Sequence, residues 1–409
     1  MNTLEAEICA HLVSQREAMT GGLAAHVAIP TGKNYSEGLD AYRALIVERL
    51  ERLGAVVELR SGRKRPGWLR TPSEDRTRVD EDIPPVVVAR HADTVSSPRV
   101  LFAAHLDTVH DPFGSFRSME VQPDGVTATG PGVVDMKGGV LVMLAALEAL
   151  HAQGVKLNWT VLLNSDEETG TFMSEHVLRE EAAEHDVGLV VEPALADGSL
   201  AVERMGSGQF MIEVFGQSAH VGREFEKGVS AVTELARILT QLAAMAEPAK
   251  GMIVNVGPIE GGGVTNAVPA YAACWGNVRY HDAAAGAALG ERIDALATEP
   301  DAMPRVLVHR HWNRPAKPRT PAVEQLANLA RSAAEDLGQT LPFASTGGVC
   351  DGNILQDAGL PVIDTLGVRG GNLHRPDEFI ELNSLVERAQ LLALVILRAQ
   401  EVDWRAGRA

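Results

Sequence analysis

The sequence is short of cysteines, of long hydrophobic runs and of basic charge, and each shortage argues against a class of protein. The 3 cysteines among its 409 residues lie far apart and form no CxxC pair, which argues against a disulfide framework and a cysteine-based zinc site. No apolar run approaches the roughly 20 residues that span a bilayer. A formal charge of -17 argues against a nucleic-acid partner. The N-terminus shows no apolar signal-peptide core, so we expect a cytoplasmic protein.

The order of apolar segments predicts an α/β protein of two domains, since 409 residues exceed one ordinary core. Strands alternate with helices in the first half of the chain, which favours a mixed, mostly parallel sheet flanked by helices. Apolar spacing predicts strands at 86–90, 100–104, 157–164, 187–192 and 361–366. It predicts helices at 3–20, 37–53, 138–152, 173–184, 322–337 and 382–399.

The pattern changes near residue 205, where four strands and two helices predict a small α+β sandwich inserted into the larger domain. The strands are expected at 209–216, 252–256, 271–280 and 305–311, and the helices at 230–244 and 283–297. The insert then comprises residues 205–314, and the larger domain comprises residues 1–204 and 315–409. The charged segment 61–82 is expected to be a solvated loop or a short hairpin.

The first chemical candidate is the end of the strand that runs into His105-Leu-Asp107. His105 and Asp107 are two positions apart, so both point to one face of the strand. Ligands bind at the carboxyl ends of strands in α/β sheets. His105 can therefore ligate a metal while Asp107 takes the second imidazole N–H. A buried structural histidine is an equal alternative at this point.

Two further motifs place acids at turns. Asp135 lies in GPGVVDMKGG before a predicted helix, where no phosphate-loop pattern is present and the acid alternatively stabilises the helix dipole. Asp166, Glu167 and Glu168 follow a buried strand. Three adjacent acids next to buried residues repel one another unless a cation lies between them. One carboxylate can then bind the ion while its neighbour serves as a general base.

Glu192 closes another apolar strand, and His374 lies in a loop before the final helix. Either residue alone is also compatible with a surface position. Taken together with the earlier candidates, two histidines and three carboxylates fall at one edge of the predicted sheet. Such a set suits a pair of zinc-like ions that share a bridging aspartate.

At this point the sequence resembles the dizinc metallopeptidases that include glutamate carboxypeptidase, acetylornithine deacetylase, succinyl-diaminopimelate desuccinylase and aminoacylase. The resemblance covers nearly the whole chain through motifs in the family's order, HLDTV, GPGVVDMKGG, NSDEETG, VVEP, GQSAHVG, VTNAVP and GNLHRPDEF. It implies that His105 and Glu192 bind one zinc and that Glu168 and His374 bind the other. Asp135 would bridge the two ions, for which cobalt or manganese are alternatives.

The same resemblance implies that Glu167 is the general base, that Asp107 orients His105, and that the Asp135–Met136 peptide bond is cis. The inserted segment matches the family's dimerisation or lid domain, which implies a homodimer. In that domain His220 would reach the active site of the partner subunit and stabilise the oxyanion.

Three further residues match substrate-binding positions of the family. Asn266 and Arg279 lie in the insert, and Arg314 lies where carboxypeptidase-like members bind the substrate carboxylate. A guanidinium suits that task, although an ion pair is the alternative for both arginines. The segment TGGVCDGN at 346–353 departs from the GGGTD of glutamate carboxypeptidases, and we expect this loop to approach the metals or the substrate.

The resemblance leaves several reactions open on a small peptide or N-acyl amino acid. A glutamate-carboxypeptidase-like exopeptidase is the first interpretation. An N-acyl-amino-acid deacylase uses the same chemistry on the other side of the amide, and an aminohydrolase of a non-peptide amine or amide is a third alternative. A metal-dependent binding protein without catalysis would not need Glu167 as a base beside Glu168.

Overall fold

The computed structural model describes residues 1–72, 83–93 and 98–404. Its helices are α1 Thr3–Ser14, α2 Arg16–Val27, α3 Ser36–Arg52, α4 Lys137–Ala152, α5 Glu175–Ala183, α6 Val221–Glu224, α7 Ala231–Ala243, α8 Ala283–Asp294, α9 Pro321–Asp336, α10 Asp351–Asp357 and α11 Asn383–Ala399. Its strands are β1 Val56–Arg60, β2 Val86–His91, β3 Arg99–His105, β4 Glu120–Val121, β5 Thr127–Thr129, β6 Asn158–Asn164, β7 Val187–Val190, β8 Leu200–Arg204, β9 Gly206–Phe215, β10 Ile253–Gly261, β11 Tyr271–Tyr280, β12 Arg305–Arg314, β13 Phe343–Thr346, β14 Val362–Ile363, β15 Gly370–Gly371 and β16 Phe379–Glu381.

The main sheet has the order β1-β2-β6-β3-β7-β14 within the described residues. β6, β3, β7 and β14 are parallel neighbours, and β1 and β2 add an antiparallel edge. Neighbouring residues of β3 enter different cores, because side chains alternate between the faces of a strand. Phe102 packs with α4 and α11 on one face, and Leu101 packs with α5 and α10 on the other. The predicted mixed, mostly parallel sheet flanked by helices is confirmed.

A second sheet, with the order β10-β11-β9-β12, is antiparallel throughout. Its core lies against α7 and α8 and includes Phe210, Leu235 and Leu289. The chain enters this unit after Arg204 and leaves it before Lys317, and these two residues form an antiparallel bridge. This sheet and its helices thus have a hydrophobic core of their own, while the boundaries 205–314 and the role as a dimerisation or lid domain stay predictions.

Some predicted elements differ from the structure. The predicted helix 3–20 is two helices that meet at Gln15, whose backbone N–H turns back to the Leu12 and Val13 carbonyls. The predicted strand 361–366 is only β14, because Pro361 has no N–H to donate and Thr365 turns the chain with a φ of 62°. The short elements β1, β8 and α10 were not predicted. Among the described residues, no helix is both long and apolar enough to cross a membrane.

Part of the charged segment 61–82 contacts the second sheet. Trp68 packs against Met211 and Trp275, and Nε1 of Trp275 donates to the backbone oxygen of Trp68 at 2.7 Å. The ring of Trp68 also stacks on His309, with 6.0 Å between centroids. The expectation of a solvated loop is therefore wrong for Trp68, and residues 73–82 lie outside the described part of the chain.

Candidate metal centre and substrate cavity

Three parallel strands carry polar side chains to one edge of the main sheet. β3 ends at His105, which pairs in register with Asn164 at the end of β6. The acidic turn with Glu167 and Glu168 follows β6, and Glu192 follows β7 on the other side of β3. Since the carboxyl ends of parallel neighbours lie together, the sheet itself brings these side chains close to one another.

Asp135 and His374 reach the same place from loops. Asp135 lies just before α4, and its peptide bond to Met136 is cis, as the resemblance implies. His374 lies between β15 and β16 and has a φ of 63°. Few residues other than glycine adopt this left-handed conformation, and those that do cluster at functional sites, where the surroundings hold them.

The five predicted ligands form two groups that share Asp135. In the first group, Nε2 of His105 lies 3.2 Å from Oδ1 of Asp135 and 4.0 Å from Oε1 of Glu192. In the second group, Nε2 of His374 lies 3.3 Å from Oδ2 of Asp135 and 3.3 Å from Oε2 of Glu168. The ligand atoms of each group lie within 4.8 Å of one another. Asp135 thus turns one carboxylate oxygen towards each group, as a bridging ligand must.

The chemistry of this donor set fits divalent cations. Burial raises the pKa of Glu192 well above its usual value, and burial also raises the pKa of Glu168 against the hydrogen bond with His374. A positive charge between such carboxylates stabilises their ionised form. Oε1 of Glu168 is buried and has no hydrogen-bond partner among the described residues, so it can bind an ion. Imidazole nitrogens with carboxylate oxygens form a ligand set that zinc accepts.

Asp107 supports the centre through both its backbone and its side chain. Nδ1 of His105 donates to the backbone oxygen of Asp107 at 2.9 Å, whereas the Asp107 carboxylate lies 3.5 Å away. Because a carbonyl oxygen only accepts, the proton lies on Nδ1 and Nε2 faces the metal group. The carboxylate accepts the backbone N–H groups of Glu167 at 3.3 Å and Glu168 at 3.0 Å. Asp107 therefore contacts His105 through its backbone oxygen and its carboxylate, which also holds the acidic turn, and its role in orienting His105 stays a prediction.

Glu167 is buried beside the two groups of predicted metal ligands, which we call the metal groups. It lines the same cavity as Asp135, Glu168, Glu192 and His374. Burial raises the pKa of Glu167 to about 8, although the positive charge of Arg314 opposes this change. Nη2 of Arg314 lies 2.7 Å from Oε1 of Glu167, and it also donates to the Glu167 backbone oxygen and to Thr171. A carboxyl group with a pKa near neutrality can both accept and release a proton, as a general base must.

A cavity of about 500 Å³ opens in front of the two metal groups. Arg279 lies in its wall, and Nη1 of this residue is buried without a hydrogen-bond partner in the described part of the chain. Burial and the neighbouring charge of Arg314 lower the pKa of Arg279. The loop with Gly348 and Cys350 also lines the cavity, in the place where we expected it. The cavity thus faces the metal groups on one side and an arginine able to bind an anion on another.

His220 and Asn266 lie elsewhere in the same chain. Both are exposed in the insert, and neither lines the cavity. Their backbones are neighbours, because the N–H of Val221, which follows His220, donates to the backbone oxygen of Asn266 at 3.0 Å. Within one chain, therefore, the structure brings Arg279 and Arg314 to the metal groups but not His220 or Asn266.

Arg204 lines the cavity and was not predicted. It is buried, and its Nε and Nη2 donate to Oδ1 of Asp364 at 3.0 and 2.7 Å. Its Nη1 donates to the backbone oxygen of Gly348 at 3.1 Å, so Arg204 holds the loop that borders the cavity. The one local signal for this role is an arginine at the end of an apolar strand.

Comparison with known proteins places this site in a family. The family model described as peptidase family M20/M25/M40 matches residues 101–398. Carboxypeptidase G2 of Pseudomonas sp. is 31% identical over 67% of this chain and 68% of its own length. A succinyl-diaminopimelate desuccinylase of Nitrosospira multiformis is 25% identical over 86% of this chain and 91% of its own length. A tripeptidase from Staphylococcus aureus shares the fold with a TM-score of 0.75 at 19% identity, covering 95% of this chain and 99% of that one.

The matched residues begin within β3 and extend into α11, so they include every residue of the two metal groups. Both the sequence likeness and the fold therefore concern the part of the molecule that carries the site. This chain belongs to peptidase family M20/M25/M40 and is a metal-dependent hydrolase.

Proposed function

We propose that the chain is a dizinc hydrolase that cleaves an amide bond next to a free carboxylate, as a glutamate carboxypeptidase does. The observation that carries the proposal is the position of the Arg279 guanidinium, which lies in the wall of the cavity that both metal groups and Glu167 also line. A carboxylate is the natural partner of such a guanidinium. The similarity to carboxypeptidase G2 supports the same assignment.

His105 and Glu192 would hold one ion, Glu168 and His374 the other, and Asp135 would bind both. When bound, the ions polarise the scissile carbonyl and lower the pKa of a water molecule. Zinc is the proposed native metal, and cobalt or manganese accept the same kinds of ligand.

Glu167 is the proposed general base. It takes a proton from the attacking water and later delivers a proton to the nitrogen of the leaving amine. Arg314 keeps the Glu167 carboxylate in place through its 2.7 Å contact, so this arginine serves the base more directly than it serves the substrate. Arg279 binds the free carboxylate of the substrate. This contact determines which amide bond of the substrate lies next to Glu167.

We also infer a homodimer in which His220 and Asn266 serve the cavity of the partner subunit. Both residues are exposed and neither lines the cavity of its own chain, and an imidazole can donate to a developing oxyanion. The edge strand β10 carries the exposed side chains Ile253 and Ile259, which a second copy could cover. A twofold dimer would give each cavity one such histidine. A cytoplasmic location is likewise part of the proposal.

A second candidate is an N-acyl-amino-acid deacylase that acts on the other side of the amide. The similarity to succinyl-diaminopimelate desuccinylases favours it, because the same ligands and the same base are present. In that case Arg279 would bind a carboxylate of the acylated amino acid or of its acyl group.

The test measures hydrolysis by metal-stripped protein before and after zinc is returned. The substrates are N-acyl-glutamates, dipeptides, and acetylated and succinylated amino acids. Zinc-dependent cleavage of N-acyl-glutamates or dipeptides supports the carboxypeptidase, and selective cleavage of acetylated or succinylated amino acids other than glutamate supports the deacylase. Protein that binds two ions and cleaves none of these substrates refutes the proposed substrate class.

A further inference from the structure

The carboxylate of Glu378 is fully buried and surrounded by donors. Its Oε1 accepts the backbone N–H groups of Val134 at 2.8 Å and Asp135 at 3.0 Å. Its Oε2 accepts the backbone N–H of Gly132 at 3.0 Å and lies 2.6 Å from Nε2 of His110. Glu378 belongs to neither metal group, yet it bonds directly to the backbone of the residue that both groups share.

Glu378 joins the two loops that carry Asp135 and His374. It lies in the same loop as His374, where its backbone N–H donates to the Arg375 oxygen at 3.1 Å. Its backbone oxygen accepts the N–H of Gly130 at 3.1 Å, at the start of the turn that leads to Asp135. The backbone and the side chain of Glu378 therefore fix one ligand loop against the other.

A glutamate is well suited to this position. Two carboxylate oxygens can accept from four donors, whereas the amide of glutamine would turn its NH₂ group towards some of those donors. The bonds to Val134 and Asp135 restrict the backbone just before the Asp135 side chain. Since Oδ1 of Asp135 faces His105 and Oδ2 faces His374, a small rotation there would move both metal groups at once.

We propose that Glu378 is a positioning residue for the metal pair, which holds the loops of Asp135 and His374 so that one carboxylate faces both ions. This inference rests on the proposed function, since it presupposes that Asp135 bridges two ions. Residues that hydrogen-bond to metal ligands without contacting the metal contribute about 10–100-fold to metal affinity or activity.

The test is the zinc affinity of the variant Glu378→Gln, measured by titration of metal-stripped protein against a chelating indicator. We expect a loss of about 10–100-fold at both ions, because Asp135 is shared between them. The absorption spectrum of the cobalt-loaded protein should change as well, since it reports the arrangement of ligands, and a role confined to folding would leave it unaltered. The matched control is Glu381→Gln, an exposed carboxylate paired with Arg369 at 2.8 Å, which should keep wild-type affinity and spectrum.

Each outcome separates this inference from the function on which it rests. Wild-type protein that binds fewer than two zinc ions refutes the metal pair itself. Wild-type protein that binds two ions, with Glu378→Gln identical to Glu381→Gln, refutes only the role of Glu378. If Glu378→Gln does not fold, His110→Ala replaces it and removes one of the four donors. Weaker zinc binding in a folded His110→Ala supports the inference, and unchanged binding overturns it.

Discussion

Replacement of Arg279 with methionine should weaken substrate recognition without weakening the fold. A hydrogen bond to a charged group contributes about 1.5–3 kcal/mol, and each 1.4 kcal/mol corresponds to about a factor of ten. We therefore expect kcat/KM to fall about 10- to 150-fold for a substrate with a free carboxylate. Nη1 of Arg279 is buried and unpartnered in the described structure, a state that costs about 1–3 kcal/mol. Its removal should leave the free energy of unfolding unchanged or higher.

The assay compares two substrates that differ in one group. An N-acyl-glutamate is measured beside the same compound with its α-carboxylate converted to an amide, for wild type and for Arg279→Met. The loss should be large for the acid and small for the amide, because the missing interaction involves the carboxylate alone. Arg310→Met is the matched control, since Arg310 is exposed in the same sheet and pairs with Asp294 at 2.6 Å. Thermal unfolding of all three proteins completes the comparison.

Two results would refute this reasoning. Equal losses on both substrates would show that Arg279 does not recognise the carboxylate. A lower unfolding temperature with unchanged kinetics would show that the guanidinium is a structural partner in the folded protein. Either result would also remove the observation on which the carboxypeptidase assignment rests.

Three further predictions concern the base, the dimer and stability at low pH. Glu167→Gln should lower kcat by about 100-fold or more while zinc content stays at the wild-type level, and a near-normal rate would exclude Glu167 as the base. The variants His220→Ala and Glu167→Gln should each be impaired, but an equal mixture of their subunits should regain about a quarter of wild-type activity. Half of the dimers in that mixture contain one subunit of each variant, and each such dimer has one intact site. No recovery would place His220 in its own cavity. Burial lowers the pKa of His26 to about 3 from its usual 6.5, so the stability it confers is complete above pH 6.5 and is lost as the pH falls towards 3. Between pH 7 and pH 5, the free energy of unfolding measured with denaturant should therefore fall by about 2 kcal/mol more in wild type than in His26→Gln. Equal falls in the two proteins would contradict the lowered pKa of His26.

Three of the five residues in the two metal groups could be predicted from their position next to an apolar strand. His105 and Glu192 close apolar strands, and Glu168 follows one. Parallel neighbours then carry such positions to one edge, so the sequence of strands and helices also predicts their proximity. Asp135 and His374 have weaker local signals, and there the resemblance to a family supplied the assignment.

The partners of these residues were harder to predict. Asp107 lies two positions from His105, and that spacing does not distinguish a bond to its carboxylate from one to its backbone oxygen. For the two arginines, the resemblance points to Arg314 as the residue that binds the substrate carboxylate, and no local pattern tests that choice against Arg279. Each guanidinium has one buried nitrogen without a partner among the described residues, and what distinguishes Arg314 is its 2.7 Å contact with Glu167.

The two segments that connect the main sheet to the second sheet show why such partners cannot be predicted from sequence. The side-chain amide of Asn353 donates to the backbone oxygens of Met205 at 2.9 Å and Pro315 at 2.7 Å, one on each of these segments. A buried amide must find partners, because an unpaired buried polar group is costly. Those partners are fixed by the packing of α10 against segments far away in the chain, and no periodicity or motif records them. The same holds for Glu378, which lies inside a recognised motif although its donors at Val134 and Asp135 belong to another loop. A local sequence pattern thus predicts which side chains can bind an ion. The hydrogen-bond partners that hold those side chains in place follow only from the assembled fold.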